Sequence, residues 1–117
     1  LPTLPRTVLL VEDNAIIAMN TEALLEEVGV TQVVVASTVL EAITQAEAGQ
    51  FEFAILDLKL DGGEDSLPVA VRLSELGVRF VFATGFGEAV ELVENYGAAG
   101  VLSKPYRLED LERILLM

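Results

Sequence analysis

Four short stretches of this 117-residue chain carry the side chains best able to do chemistry. Glu12 and Asp13 come at the end of the run TVLLVE and just after it. Asp57 follows FAIL. Thr84 closes RFVFAT, and Ser103 closes AGVLS with Lys104 and Pro105 directly behind. An apolar run belongs in a core, where an unpaired carboxylate is expensive. Carboxylates, an ammonium and a hydroxyl together suit two linked tasks. They can hold a hard divalent cation such as Mg²⁺ through oxygen ligands, and they can present an aspartate oxygen as nucleophile to a phosphoryl group. In that chemistry Lys104 balances charge on the transferring oxygens and Thr84 donates a hydrogen bond to one of them. Taken singly, each residue has a plainer reading. Asp57 reads as a turn or cap, Glu12–Asp13 as a cap of the following helix, Thr84-Gly85 as a turn, and Lys104-Pro105 as the start of a helix. Only their joint placement favours chemistry.

That placement depends on the elements that carry them. The apolar runs cover 7–12, 32–37, 53–56, 79–84 and 99–103, and most are continuous rather than alternating, as in strands buried on both faces. Helical patterns lie between them. In 15–28, Ile17, Leu24 and Val28 share a face before Gly29. In 38–48, Thr38 and Glu41 read as a capping box ahead of the stripe Val39, Ile43, Ala46. In 67–76, Pro68 falls in the first turn and Gly77 closes. A short helix is expected over 88–96 and a last one over 107–116. Strands alternating with helices imply right-handed βαβ units, hence a (βα)5 α/β fold with a doubly wound five-stranded parallel sheet. Sites in such sheets form outside the carboxyl ends of the strands, so the polar residues above gather at one rim.

Three carboxylates at one rim repel. Two unit charges about 5 Å apart cost roughly 3 kcal/mol at an effective dielectric near 20. Mg²⁺ and the Lys104 ammonium are the natural compensation. Composition narrows the field further. With no cysteine and no histidine, disulfides, thiolate metal sites, the usual zinc ligands and a Ser-His-Asp triad are excluded. The formal net charge of −12 disfavours direct nucleic-acid binding and favours cations and basic protein surfaces. There is no apolar run of membrane-spanning length, so no membrane contact by this domain is expected, and a cytoplasmic location is. The opening LPTLPR, residues 1–6, reads as a linker or trimmed N-terminal segment.

The motifs VLLVEDN, AILDLKL, FATG and VLSKPY, taken together, resemble the receiver domains of bacterial two-component response regulators (CheY-like, flavodoxin-like fold), over nearly the whole chain. The resemblance implies a receiver domain over 7–117. It makes Glu12 and Asp13 the acidic pair that organises Mg²⁺, Asp57 the phosphoacceptor, and the backbone carbonyl of Lys59 a further metal ligand. Thr84 becomes the switch hydroxyl and Lys104 the phosphate-binding lysine. FATGF, residues 82–86, resembles a subgroup marked by an F-A-T-G signature. Two positions depart from the common pattern. Gly85 stands where a small residue, often alanine, is usual, and Val101 stands where an aromatic ring often swings inward. The loop LDGGED, residues 60–65, lacks the usual proline and holds two glycines.

The implied partners are a histidine kinase or histidine phosphotransfer protein and a downstream protein. The chain is expected to be a phosphoacceptor rather than an enzyme acting on a separate substrate, as a stand-alone regulator or the receiver part of a hybrid histidine kinase. Signal output is expected through 84–96 and 101–106 without an aromatic swing. A phosphorylation-independent docking module would show a broken acidic set or a missing lysine. A haloacid-dehalogenase-like phosphatase would want a second aspartate two residues after the nucleophile, where Lys59 stands. A flavin module would place hydroxyls, not Glu12 and Asp13, after the first strand.

Overall fold

The computed structural model describes residues 3–60, 63–85, 91 and 95–116. Five parallel strands form one sheet: β1 (Thr7–Val11), β2 (Gln32–Ala36), β3 (Phe53–Asp57), β4 (Arg79–Thr84) and β5 (Gly100–Ser103), in the order β2-β1-β3-β4-β5. Helices α1 (Ala15–Val28), α2 (Val39–Ala48), α3 (Leu67–Leu76) and α4 (Leu108–Leu115) connect or follow them. The helix expected over 88–96 lies largely outside the described residues. Of that stretch, Glu91, Asn95 and Tyr96 are helical.

Continuous apolar strands are explained by burial on both faces. On one face Leu9, Val11, Ala54, Leu56, Phe80 and Phe82 meet Ala42 and Ala46 of α2 and Val69 and Leu73 of α3. On the other, Val8, Leu10, Phe53, Ile55, Val81 and Ala83 meet Leu25 of α1 and Leu111 and Leu115 of α4. Successive residues alternate between the two clusters, as the period of a strand requires. By that period Asp57 belongs with Phe53 and Ile55, on the α1 and α4 side.

Helix boundaries follow local chemistry. Asn14 caps α1, its Oδ1 accepting from the backbone N–H groups of Ile16 and Ile17 at 3.0 Å each. Thr38 Oγ1 caps α2 by accepting from Glu41 N at 3.1 Å. Gly77 ends α3 in the left-handed region at φ 75°, which a residue with a Cβ rarely adopts. At the start of α4, Asp110 Oδ2 accepts from Arg107 N at 2.9 Å. Residues of the opening segment lie against the domain. Pro5 is buried, and the Arg6 carbonyl accepts from Thr31 N and Gln32 N. No helix among the described residues is long and apolar enough to cross a membrane.

The loop after β3 folds back on itself. Lys59 bridges Asp65 in antiparallel fashion, Leu60 N donates to Glu64 O, and Ser66 N donates to Leu58 O. Ser66 is fully buried there, and its hydroxyl has no hydrogen-bond partner among the described residues. Burying a hydroxyl without a partner costs about 1–3 kcal/mol by mutational measures. Ser66→Ala is therefore expected to leave stability unchanged or raise it by up to about 1 kcal/mol, read from urea denaturation. A loss of stability would show that the hydroxyl is satisfied in solution.

Candidate functional site at the carboxyl rim of the sheet

The strands deliver their polar ends to one rim by extending the hydrogen-bond ladder one residue further. Glu12 N donates to Ala36 O at 3.0 Å, Leu58 N to Ala83 O at 3.0 Å, and Lys104 N to Thr84 O at 2.9 Å. Asp57 pairs with Ala83 across β3 and β4, and Thr84 with Ser103 across β4 and β5. The backbone is therefore fixed where the side chains diverge.

Glu12, Asp13 and Asp57 come together, each with a carboxylate oxygen within 4.8 Å of the others. Glu12 is 3% exposed and Asp57 8% exposed, while Asp13 is half-buried. Lys104 reaches between two of them. Its Nζ lies 3.0 Å from Asp57 Oδ1 and 3.2 Å from Glu12 Oε1. The other Glu12 oxygen accepts from Asn14 N at 3.2 Å. Since Asn14 caps α1, neither Glu12 nor Asp13 performs that task.

Burial pushes the Glu12 carboxyl above its ordinary 4.5, and the Asp57 charge adds to this. The Asn14 N–H and the Lys104 ammonium oppose the shift without cancelling it. For Lys104, burial alone would lower the pKa. The hydrogen bond and charge of Asp57, followed by those of Glu12, outweigh burial and hold the ammonium above its ordinary 10.5. The lysine is thus firmly charged, while Glu12 holds its charge at a cost.

Of the other expected site residues, Thr84 is half-buried at the end of β4, with its carbonyl tied to Lys104 N. Lys59 is exposed in the folded-back loop, two residues beyond Asp57. Val101 is half-buried on β5, opposite Phe82. Sequence reasoning missed Thr21 and Tyr106. Tyr106 Oη lies 2.7 Å from Thr21 Oγ1, beside the lysine.

A 2-1-3-4-5 parallel sheet with acidic groups and a lysine at its carboxyl rim is the CheY-like form of the flavodoxin-like α/β fold. The profile of the response regulator receiver domain matches residues 8–116, and the chain belongs to that family. Receiver domains of two-component systems are signalling modules rather than typical enzymes. The transcriptional regulatory protein PdtaR of Mycobacterium tuberculosis is 32% identical over 110 residues, which cover 92% of this chain and 53% of that protein. The chain therefore spans about half the length of the curated relatives it matches. The solution structure of SdrG from Sphingomonas melonis Fr1 is similar, with a TM-score of 0.78 and 37% identity. The match covers 95% of this chain and 96% of that one. A response regulator from Burkholderia pseudomallei, solved with a phosphorylated aspartic acid, calcium ion and citrate, has a TM-score of 0.82 and 29% identity. It is matched over 94% of this chain and 66% of its own.

The Glu12 shift has a direction that can be measured. With its folded pKa raised, Glu12 favours the fold fully below the ordinary glutamate value, and that contribution is lost as pH rises through the raised value. In metal-free buffer, Glu12→Gln is expected to remove this part of the pH dependence of stability, because the amide keeps an acceptor for Lys104 and carries no charge. Urea melts across the acid-to-neutral range would show it. Parallel profiles for both proteins would mean that Glu12 titrates as an ordinary glutamate.

Proposed function

We propose that this chain accepts a phosphoryl group on Asp57 from a histidine kinase or a histidine phosphotransfer protein, and that it signals through altered protein contacts. The observation that carries this reading is the position of Asp57. It is nearly buried at the end of β3, 3.0 Å from the Lys104 ammonium and beside Glu12 and Asp13. A carboxylate held rigidly beside an ammonium has its attacking oxygen oriented and the incoming negative charge partly balanced. An oxygen of Asp57 attacks phosphorus. The P–N bond to the donor imidazole breaks, and its electron pair returns to the ring. The chain itself contains no histidine, so the donor is a separate protein or a domain outside this sequence.

The all-oxygen donor set of Glu12, Asp13 and Asp57 suits Mg²⁺, with the Lys59 carbonyl as a further ligand and Glu12 acting mainly through water. When bound, Mg²⁺ would neutralise charge on the phosphoryl oxygens. Lys104 holds the opposite side of that charge, and Thr84 supplies a hydroxyl. The intact acidic set and lysine favour this reading over a phosphorylation-independent docking module. The domain would work in the cytoplasm, as a stand-alone regulator or within a hybrid histidine kinase.

Exposed to Mg²⁺ and a small phosphodonor or a matching phosphohistidine kinase, the chain is expected to be labelled at Asp57. Asp57→Asn should abolish labelling and remain folded. Reductive trapping of the acyl phosphate followed by mass spectrometry would locate the modified residue. Label on another carboxylate, or no label from any competent donor, would favour the docking module. The metal assignment has its own test in a Mg²⁺ titration followed by amide chemical shifts. The largest changes are expected at 12–13, 57–59 and 104, and a maximum elsewhere would refute the site.

A further inference from the structure

Lys104 emerges from the chain between two anchors. On one side its own N–H is bonded to Thr84 O at 2.9 Å. On the other, two residues on, the Tyr106 hydroxyl meets Thr21 Oγ1 at 2.7 Å. Thr21 is 2% exposed and sits in the middle of α1. The Tyr106 ring packs into the core cluster shared by α1 and α4. Burial raises the pKa of its phenol above the ordinary 10.0, so it stays a neutral hydrogen-bonding group at neutral pH. A cleft of about 330 Å³ beside this bond is lined by Ile17, Asn20, Thr21 and Leu24 of α1 together with Lys104, Pro105 and Tyr106. The ring therefore has space on one side into which it can shift.

We propose that the Tyr106–Thr21 hydrogen bond is a latch that passes the position of Lys104 to helix α1, with Tyr106 as a positioning residue. The inference rests on the phosphoacceptor reading of Asp57. In the structure the ammonium is shared between Asp57 and Glu12, at 3.0 and 3.2 Å. A phosphoryl group on Asp57 adds negative charge and acceptor oxygens on one side of that balance and draws Lys104 away from Glu12. Any backbone shift at Lys104 reaches Tyr106 through Pro105 alone. At Tyr106 the chain is tied to α1, so the shift is borne by the latch. Ile17 and Leu24 lie about one turn on either side of Thr21. On the same helix Ile16 and Met19 are 71% and 69% exposed. A movement of Thr21 would thus be legible on an exposed part of the helix.

The test uses beryllium fluoride with Mg²⁺ as phosphoryl mimic and follows backbone amide shifts in three chains: wild type, Tyr106→Phe, and the double variant Thr21→Val with Tyr106→Phe. Phenylalanine keeps the ring but leaves the buried Thr21 hydroxyl without a partner. The double variant removes both polar groups and preserves shape, so its stability is expected to return close to wild type. In wild type, the amides of Asp57 and Lys104 are expected to shift together with those of Ile17, Thr21 and Leu24. In both variants the shifts at Asp57 and Lys104 persist while the α1 shifts are lost. Recovery of the α1 response in the double variant overturns the latch, because a merely structural bond would behave that way. A wild type in which Asp57 and Lys104 respond and α1 does not overturns the latch alone. A wild type in which none of these residues responds overturns the phosphoacceptor reading and the latch with it.

Discussion

The site turns on one ammonium held between two buried carboxylates. Lys104 stands within 3.2 Å of both Glu12 and Asp57, and Asp13 lies close by. With all four groups ionised, three negative charges share one ammonium, a net excess of two negative charges among these groups. Burial makes that excess costly, as the raised pKa of Glu12 reflects. An arrangement that places charge under such pressure is stable only because the backbone beneath it is rigid. It is also receptive to groups that relieve the pressure, whether a divalent cation or a redistribution of the lysine.

The rigidity comes from the sheet. A parallel sheet buried on both faces has no free surface over which a strand end can relax, and the ladder runs one bond beyond the strands at Glu12, at Leu58 next to Asp57, and at Lys104. Alternation along β3 assigns Phe53 and Ile55 to the α1 and α4 face, and Asp57 inherits that direction. Lys104 enters from the chain leading into α4, on the same side of the sheet. The meeting of Asp57 and Lys104 therefore follows from parity and strand order rather than from any sequence proximity.

This explains which parts of the molecule were legible beforehand. The five strands and four of the helices follow from continuous apolar runs and from glycine, proline and threonine punctuation, and the described elements agree with the expected ranges to within about two residues at each end. The rim residues were legible because each directly follows or closes a run. The α1 cap was not. Glu12, Asp13 and Asn14 are three consecutive polar residues ahead of the helix, and only the fold shows that Asn14 caps while Glu12 turns inward to Lys104. The burial of Ser66 with its hydroxyl unmatched among the described residues had no signal in the sequence. Tyr106 and Thr21 were invisible as a pair, since 85 residues separate them and neither is charged. Contacts set by tertiary packing between uncharged hydroxyls leave no periodic or charge signal in a sequence.

The two faces of the sheet also differ in how they can carry a signal. On the α2 and α3 face, β4 presents Phe80 and Phe82 edge-to-face at 5.7 Å, and Phe82 meets Tyr96 at 6.4 Å. Val101 lies opposite Phe82 in the β4–β5 pair, so the neighbouring strand adds no ring there that could exchange one packed position for another. A close-packed aromatic cluster resists graded displacement, because small separations already forfeit much of its contact energy. On the other face the aromatic group nearest the lysine in sequence is Tyr106, whose ring packs against the core and whose hydroxyl makes one directional bond beside a cleft. With valine at position 101 the α2 and α3 face has no ring on β5 to set against Phe82, and the hydroxyl pair of Tyr106 and Thr21 lies on the lysine side of the site.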